Sequence, residues 1–133
     1  MNYYEILLCA SYLSNFVILF SLGVFVFIVN RKSVVNRTYS VYSLSIAWWS
    51  LFSIPMIAAS SPEQALFWDR VCLAGVIFIP STFFHFTCSF LKLNAAYKHL
   101  IRFFHVVSLC FLALDVAPFF VIQTRPVYLL KNF

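Results

Sequence analysis

The sequence predicts an all-α, polytopic membrane protein of four transmembrane helices with both termini outside (N-out/C-out). Three observations carry that expectation. Of 133 residues, 63% are hydrophobic and only 10% charged; ordinary soluble domains carry about 25% charged residues, so this chain could not clothe a surface in water. Apolar runs recur four times along the chain, each near the roughly 20 residues that a spanning helix needs. The breaks between them are short, and several are basic. The whole of 1–133 therefore reads as one membrane domain, with no room for a separate soluble catalytic unit.

The first helix is expected over about 4–29. It lacks a basic leader, carries Glu5 instead, and exceeds the apolar part of a signal peptide, so it reads as a retained anchor. Tyr3, Tyr4 and Tyr12 suit an interfacial aromatic belt. Asn15 should face another helix, because an unpaired amide in lipid is costly. Residues 30–37 form a basic loop with Arg31, Lys32 and Arg37. Asn36-Arg37-Thr38 matches a glycosylation sequon, but the charge pattern places it inside the cell.

The second helix is expected over about 38–59. Ser43, Ala47 and Ser50 recur at helical spacing and give it a small-residue face for close helix approach. Trp48 and Trp49 fall near mid-span, where packing between helices is their natural role. Pro55 should bend the last turns. The polar turn 60–64 follows, with Pro62 placed to open the next helix.

The third helix, about 65–91, puts Arg70, Ala74, Ile77, Ser81, His85 and Cys88 on one inward face. Pro80 should bend it, with Ser81 and Thr82 available to satisfy freed carbonyls. A second basic loop holds Lys92 and Lys98. The fourth helix, about 100–123, aligns Arg102, His105, Ser108, Leu112 and Asp115 on a face, and 124–133 reads as an extracytoplasmic tail.

Orientation follows from the basic residues. Arg31, Lys32, Arg37, Lys92, Lys98 and Arg102 fall on one side; Arg70, Arg125 and Lys131 fall on the other. The more basic side should be cytoplasmic, in a cell (inner) membrane. The net charge of +5 is thereby accounted for, and no nucleic acid is implied, since the basic residues form no aromatic-interleaved patch. Cys9, Cys72, Cys88 and Cys110 sit in apolar runs without metal-finger spacing and behave as small apolar residues. No metal or cofactor is expected, and no phosphate loop, nucleophile elbow or HExxH pair is present, so no catalytic residue is assigned.

The candidate ligand or signal residues are the ionisable groups on inward faces: Arg70, Asp115, His85 and His105. A charge deep in a span costs about 2.5–3.5 kcal/mol on insertion scales and is usually paired or wet. Two readings of Arg70 and Asp115 stay open. They form an ion pair or line a polar pocket open to the outside; or Arg70 snorkels beside Asp69 while Asp115 is hydrated. His85 and His105 should lie at similar depth. Hydrogen-bonded packing between helices is their ordinary reading, with haem ligation or proton relay as the sharper alternatives.

An ordered set of short motifs lies between Asn30 and Leu91. It comprises Asn36-Arg37, Ala47-Trp48, Leu66-Phe67-Trp68-Asp69-Arg70, Pro80 and His85-Phe86. This set resembles the N-terminal seven-transmembrane sensory region of bacterial histidine kinases, of which the sequence would supply about four helices. The resemblance implies a membrane module that senses a signal in a two-component system. The signal would pass to cytoplasmic kinase domains, whose phosphoacceptor and ATP-binding segments these residues do not contain. The expected partners are the lipid bilayer and a kinase-bearing chain or a second copy. A small transporter or channel subunit using Asp115, a b-type haem electron carrier using His85 and His105, and a bare structural subunit are the alternatives.

Overall fold

A computed structural model describes residues 2–116. Four helices follow one another in chain order: α1 (Tyr3–Val29), α2 (Val34–Ile57), α3 (Pro62–Phe90) and α4 (Lys98–Val116). All four are long and apolar enough to cross a membrane, and among the described residues there is no strand. The described residues thus form the all-helical body of a multi-pass membrane protein.

Local chemistry sets the helix ends. Asn2 caps α1 through a capping box with Glu5. Ser33 caps α2, accepting the Asn36 backbone N–H at 3.3 Å, and α2 accordingly begins at Val34 rather than at the expected Thr38. Ser61 does the same for α3 by accepting Gln64 N–H at 3.3 Å. With Pro62 in the first turn, α3 starts there rather than at Ala65. The loop 30–33 is braced by Asn30, whose Oδ1 accepts the N–H groups of Lys32 and Ser33. The C-terminus of α3 closes in a Schellman arrangement. Leu93 N–H donates to Cys88 C=O at 2.7 Å and Lys92 N–H to Ser89 C=O at 3.2 Å. Lys92 occupies the left-handed position at φ 58°, where glycine is the usual residue. α4 opens at Lys98; its expected end at 123 and the tail 124–133 lie outside the described residues.

The helices are antiparallel and form an open row rather than a closed bundle. α1 packs only on α2, and α4 only on α3, among the described residues. The seams are small and polar. Along α1·α2, Asn36 Nδ2 donates to Val26 C=O (3.0 Å), Ser40 Oγ to Gly23 C=O (2.8 Å) and Ser43 Oγ to Leu19 C=O (2.8 Å). Asn15 Nδ2 donates to Ser50 Oγ at 2.6 Å, so the amide faces a helix as expected. Asn36, Ser40, Ser43, Ala47 and Ser50 recur every three or four residues, keeping one stripe of α2 against α1. Hydroxyls bonded to a neighbour's backbone are a natural adhesive where lipid offers no competing water.

Large aromatics face outward or fill the α2·α3 seam. Tyr42 packs on Phe83 (5.4 Å between centroids) and Phe86 (6.2 Å), and Phe52 stacks on Trp68 at 5.9 Å. Tyr12, placed in the interfacial belt from sequence, instead packs edge-on against Trp49 at 5.8 Å; Tyr3 and Tyr4 remain exposed. Both internal prolines, Pro55 and Pro80, lie within continuous helices.

Candidate functional site

Two polar clusters lie at opposite ends of the α3·α4 seam. The first sits near the end of α3 that carries its capping Ser61. Arg70 stands two turns into α3, and the antiparallel run of α4 brings Asp115 to the same level. Asp115 is 3% exposed and lies within electrostatic reach of Arg70 and Asp69. Its buried Oδ1 accepts no hydrogen bond from any described residue. A carboxylate so enclosed is expensive in lipid unless a cation or water compensates it. The packing therefore sets Arg70 and Asp115 at one level of the seam and removes Asp115 from the surface.

The second cluster sits toward the end that bears the loops 30–33 and 91–97. The His85 and His105 rings meet edge to face with centroids 5.4 Å apart. They line a cavity of about 200 Å³ with Arg37, Thr38 and Thr82. Thr38 Oγ1 donates within its own helix to the carbonyls of Val34 and Val35. Thr82 Oγ1 likewise donates to Phe78 and Ile79. The N–H donors available to a guest are therefore the Arg37 guanidinium and the imidazoles. His105 Nδ1 is buried without a hydrogen-bond partner among the described residues. The cavity falls below the about 300–1,000 Å³ of small-molecule pockets, which suits a compact polar group and not a porphyrin. No group of three or more His, Cys, Asp or Glu side chains is placed to hold a metal among the described residues.

Between the clusters the seam is tied by hydroxyls. Ser108 Oγ lies 3.0 Å from Ser81 Oγ and 3.0 Å from Ile77 C=O. Ser81 and Thr82 do bond carbonyls near Pro80, but those of Phe78 and Ile79 rather than that of Val76, the one the proline releases. Arg102, assigned to the inward face of α4 from spacing, is exposed; Ile101, Ser108 and Asp115 are the buried residues of that helix. Among the described residues α4 touches one neighbour only, so its packed stripe is narrower than the spacing suggested.

The remaining motif residues are chiefly structural. Asn36 holds the end of α1, and Arg37 borders the histidine cavity. Trp48 donates its indole N–H to Val71 C=O at 2.8 Å while its ring is 46% exposed. Phe67 is exposed and packs edge-on against Trp68, which is half-buried. Pro80 is exposed, and Phe86 packs on Tyr39 at 5.5 Å. Spacing arguments missed the second packed face of α3, formed by Cys72, Gly75 and Thr82. Cys72 Sγ lies 3.2 Å from Ser53 Oγ, and Gly75 meets α2 so closely that a Cβ there would stand 2.8 Å from Trp48 Cδ1. Gly75, one of only two glycines in the chain, was the available signal, since small residues permit close helix contact in membranes.

Beside Gly75 a mostly open groove of about 390 Å³ runs between α2 and α3, lined by Leu44, Trp48, Ala74 and Phe78. Val41 and Thr82 line both this groove and the histidine cavity. Comparison with known proteins bears on the whole: residues 11–130 match the family described as the N-terminal 7TM region of histidine kinase. No curated protein and no solved structure matches the chain.

Proposed function

This chain belongs to the family of N-terminal 7TM regions of histidine kinase, and from that premise we propose that it is a membrane-embedded sensory input module. The family is a sensory region and not a catalytic one. The signal acts on the Arg70–Asp115 level of the α3·α4 seam, and a kinase-bearing partner or a second copy reads the resulting change in packing. The single observation carrying this reading is Asp115, buried at 3% exposure on the Arg70 level of a seam that serine hydroxyls tie at its middle. A buried charge costs stability that an apolar residue would not, which is a reason to look for a functional use.

The N-terminus lies outside and the loops 30–33 and 91–97 lie in the cytoplasm of a cell whose inner membrane holds the protein. Arg31, Lys32, Arg37, Lys92, Lys98 and Arg102 gather at that end and support the orientation. Arg70 and Asp115 then face the exterior, where a signal arrives, and His85 and His105 lie toward the cytoplasm. Such a module works only if its ligand or stress prefers one of two packings.

The test compares host cells expressing the chain or its Asp115→Asn and Arg70→Gln variants, by response-regulator phosphorylation and by cation flux in liposomes. Sensing predicts altered phosphorylation in both variants and no Asp115-dependent current. A current abolished by Asp115→Asn would replace sensing with transport.

A further inference from the structure

The groove and the histidine cavity adjoin at Val41 and Thr82, and we infer that together they form a cleft that binds an anionic phospholipid of the leaflet next to the basic loops. One acyl chain lies along α2 and α3, and the phosphate sits at Arg37, His85 and His105. Three features of the cleft fit that occupant. Its upper part is apolar and open to the side, bounded by Leu44, Trp48, Ala74 and Phe78, with Gly75 at its floor, where α2 and α3 meet in close contact. Its lower part gathers an arginine and two imidazoles from three different helices, and among the described residues no acidic side chain lines it. Val41 and Thr82 border both parts, so a head and a tail attached to each other can occupy them together.

Depth agrees with the assignment. Arg37 lies in the first turn of α2, directly after the loop that carries Arg31 and Lys32. From Val34 to Trp48 the helix rises about 21 Å at 1.5 Å per residue, which carries the groove from headgroup level into the acyl region of a bilayer whose core is about 30 Å thick. The positive end of the α2 dipole adds to the attraction for a phosphate. Basic pockets between membrane helices recognise anionic headgroups by this combination of charge and shape. The site stands apart from the Arg70–Asp115 level: absence of a lipid preference in an unsubstituted chain that still signals overturns this inference alone.

Native mass spectrometry of the full chain from vesicles of mixed phosphatidylglycerol and phosphatidylcholine is the test. We expect about fivefold preferential retention of phosphatidylglycerol, the effect of one favourable arginine contact near the surface. Arg37→Gln should reduce the preference to within about twofold of unity, whereas Arg102→Gln, exposed on α4 and not among the residues that line the cleft, should leave it unchanged. Val41→Trp, which plugs the junction, should lower retention of both lipids. Equal retention of the two lipids by the unsubstituted chain overturns the proposal. So does an equal effect of Arg102→Gln, which means diffuse surface charge, or displacement by inorganic phosphate or a free fatty acid, which means only head or tail is recognised. A phosphatidylglycerol carrying a mid-chain photoactivatable group gives a second readout that needs no variant. Adducts within 41–48 or 74–78 support the site, and adducts confined to α1 or α4 refute it.

Discussion

Gly75→Ala probes the α2·α3 seam with the least chemical change. The added methyl would stand 2.8 Å from Trp48 Cδ1, 3.0 Å from Ser45 C=O and 3.0 Å from Trp49 N. Trp48 is partly exposed and could swing away, but only by giving up its 2.8 Å bond to Val71 C=O. The other two atoms are backbone, so relief requires α2 and α3 to separate. Overpacking of this kind costs about 1–3 kcal/mol, and the better helix propensity of alanine returns at most about 1 kcal/mol. Because two of the three contacts are backbone, the upper end of that range applies, and a net destabilisation of about 2 kcal/mol follows, equivalent to roughly a 30-fold shift toward the unfolded state. Gly23→Ala is the internal control. Its nearest neighbour is Ser43 Cβ at 3.3 Å, with nothing else inside 3.5 Å, so propensity and crowding should nearly cancel. Denaturant titration in bicelles, followed by tryptophan fluorescence, reads both variants. A Gly75→Ala protein as stable as the parent, or less perturbed than Gly23→Ala, refutes the close-contact reasoning.

Further outcomes follow from other contacts. In a double-mutant cycle, Asn15→Ala and Ser50→Ala should show coupling of about 0.6 kcal/mol, the mean for hydrogen bonds between membrane helices; purely additive losses would dissolve that rung. Lys92→Gly should raise stability by about 0.5–1 kcal/mol, since relief of left-handed strain outweighs the added freedom of the unfolded chain, and a lower unfolding midpoint would contradict the cap geometry. Arg70→Gln should destabilise more than the Arg70→Gln/Asp115→Asn double variant's excess over Asp115→Asn, with coupling above about 0.5 kcal/mol; additivity would mean the two charges do not interact. In a glycosylating expression system Asn36 should stay unmodified, because its Nδ2 is engaged with Val26 C=O inside a helical turn; a mobility shift removed by Asn36→Gln would disprove this.

Hydropathy made the four spans legible, because lipid selects against charge over a fixed length whatever the tertiary detail. The α1·α2 seam was legible too: Ser43, Ala47 and Ser50 mark a stripe, and Asn15 needed a partner that Ser50 supplies. His85 and His105 were matched in depth by counting along an antiparallel pair, and their rings do meet. What periodicity concealed is that α2 and α3 each serve two neighbours. A helix with two packed sides has no single polar stripe, so Cys72, Gly75 and Thr82 were invisible to an argument that sought one inward face. Caps extended the helices past the hydropathic edges at Ser33 and Ser61, because side-chain oxygens can start a helix in polar sequence.

The open row also constrains how a change at the Arg70–Asp115 level could reach the loop end. α3 is gripped on one side by α2 through a contact in which Gly75 meets backbone atoms, leaving little slack for sliding. Its other side meets α4 through the hydroxyls of Ser81 and Ser108 and the two histidine rings, contacts that can re-form after a small shift. α4, moreover, has no second neighbour among the described residues. A change in the interaction of Asp115 with Arg70 should therefore displace α4 along α3 rather than α3 along α2. The His85–His105 contact lies about 15 residues along α3 from Arg70, roughly 22 Å at the helical rise, and would register that displacement directly. A spin-label distance between α3 and α4 at the loop end that changes in Asp115→Asn, with the α2–α3 distance constant, is the signature of that route; the reverse pattern would transfer the moving seam to α2·α3.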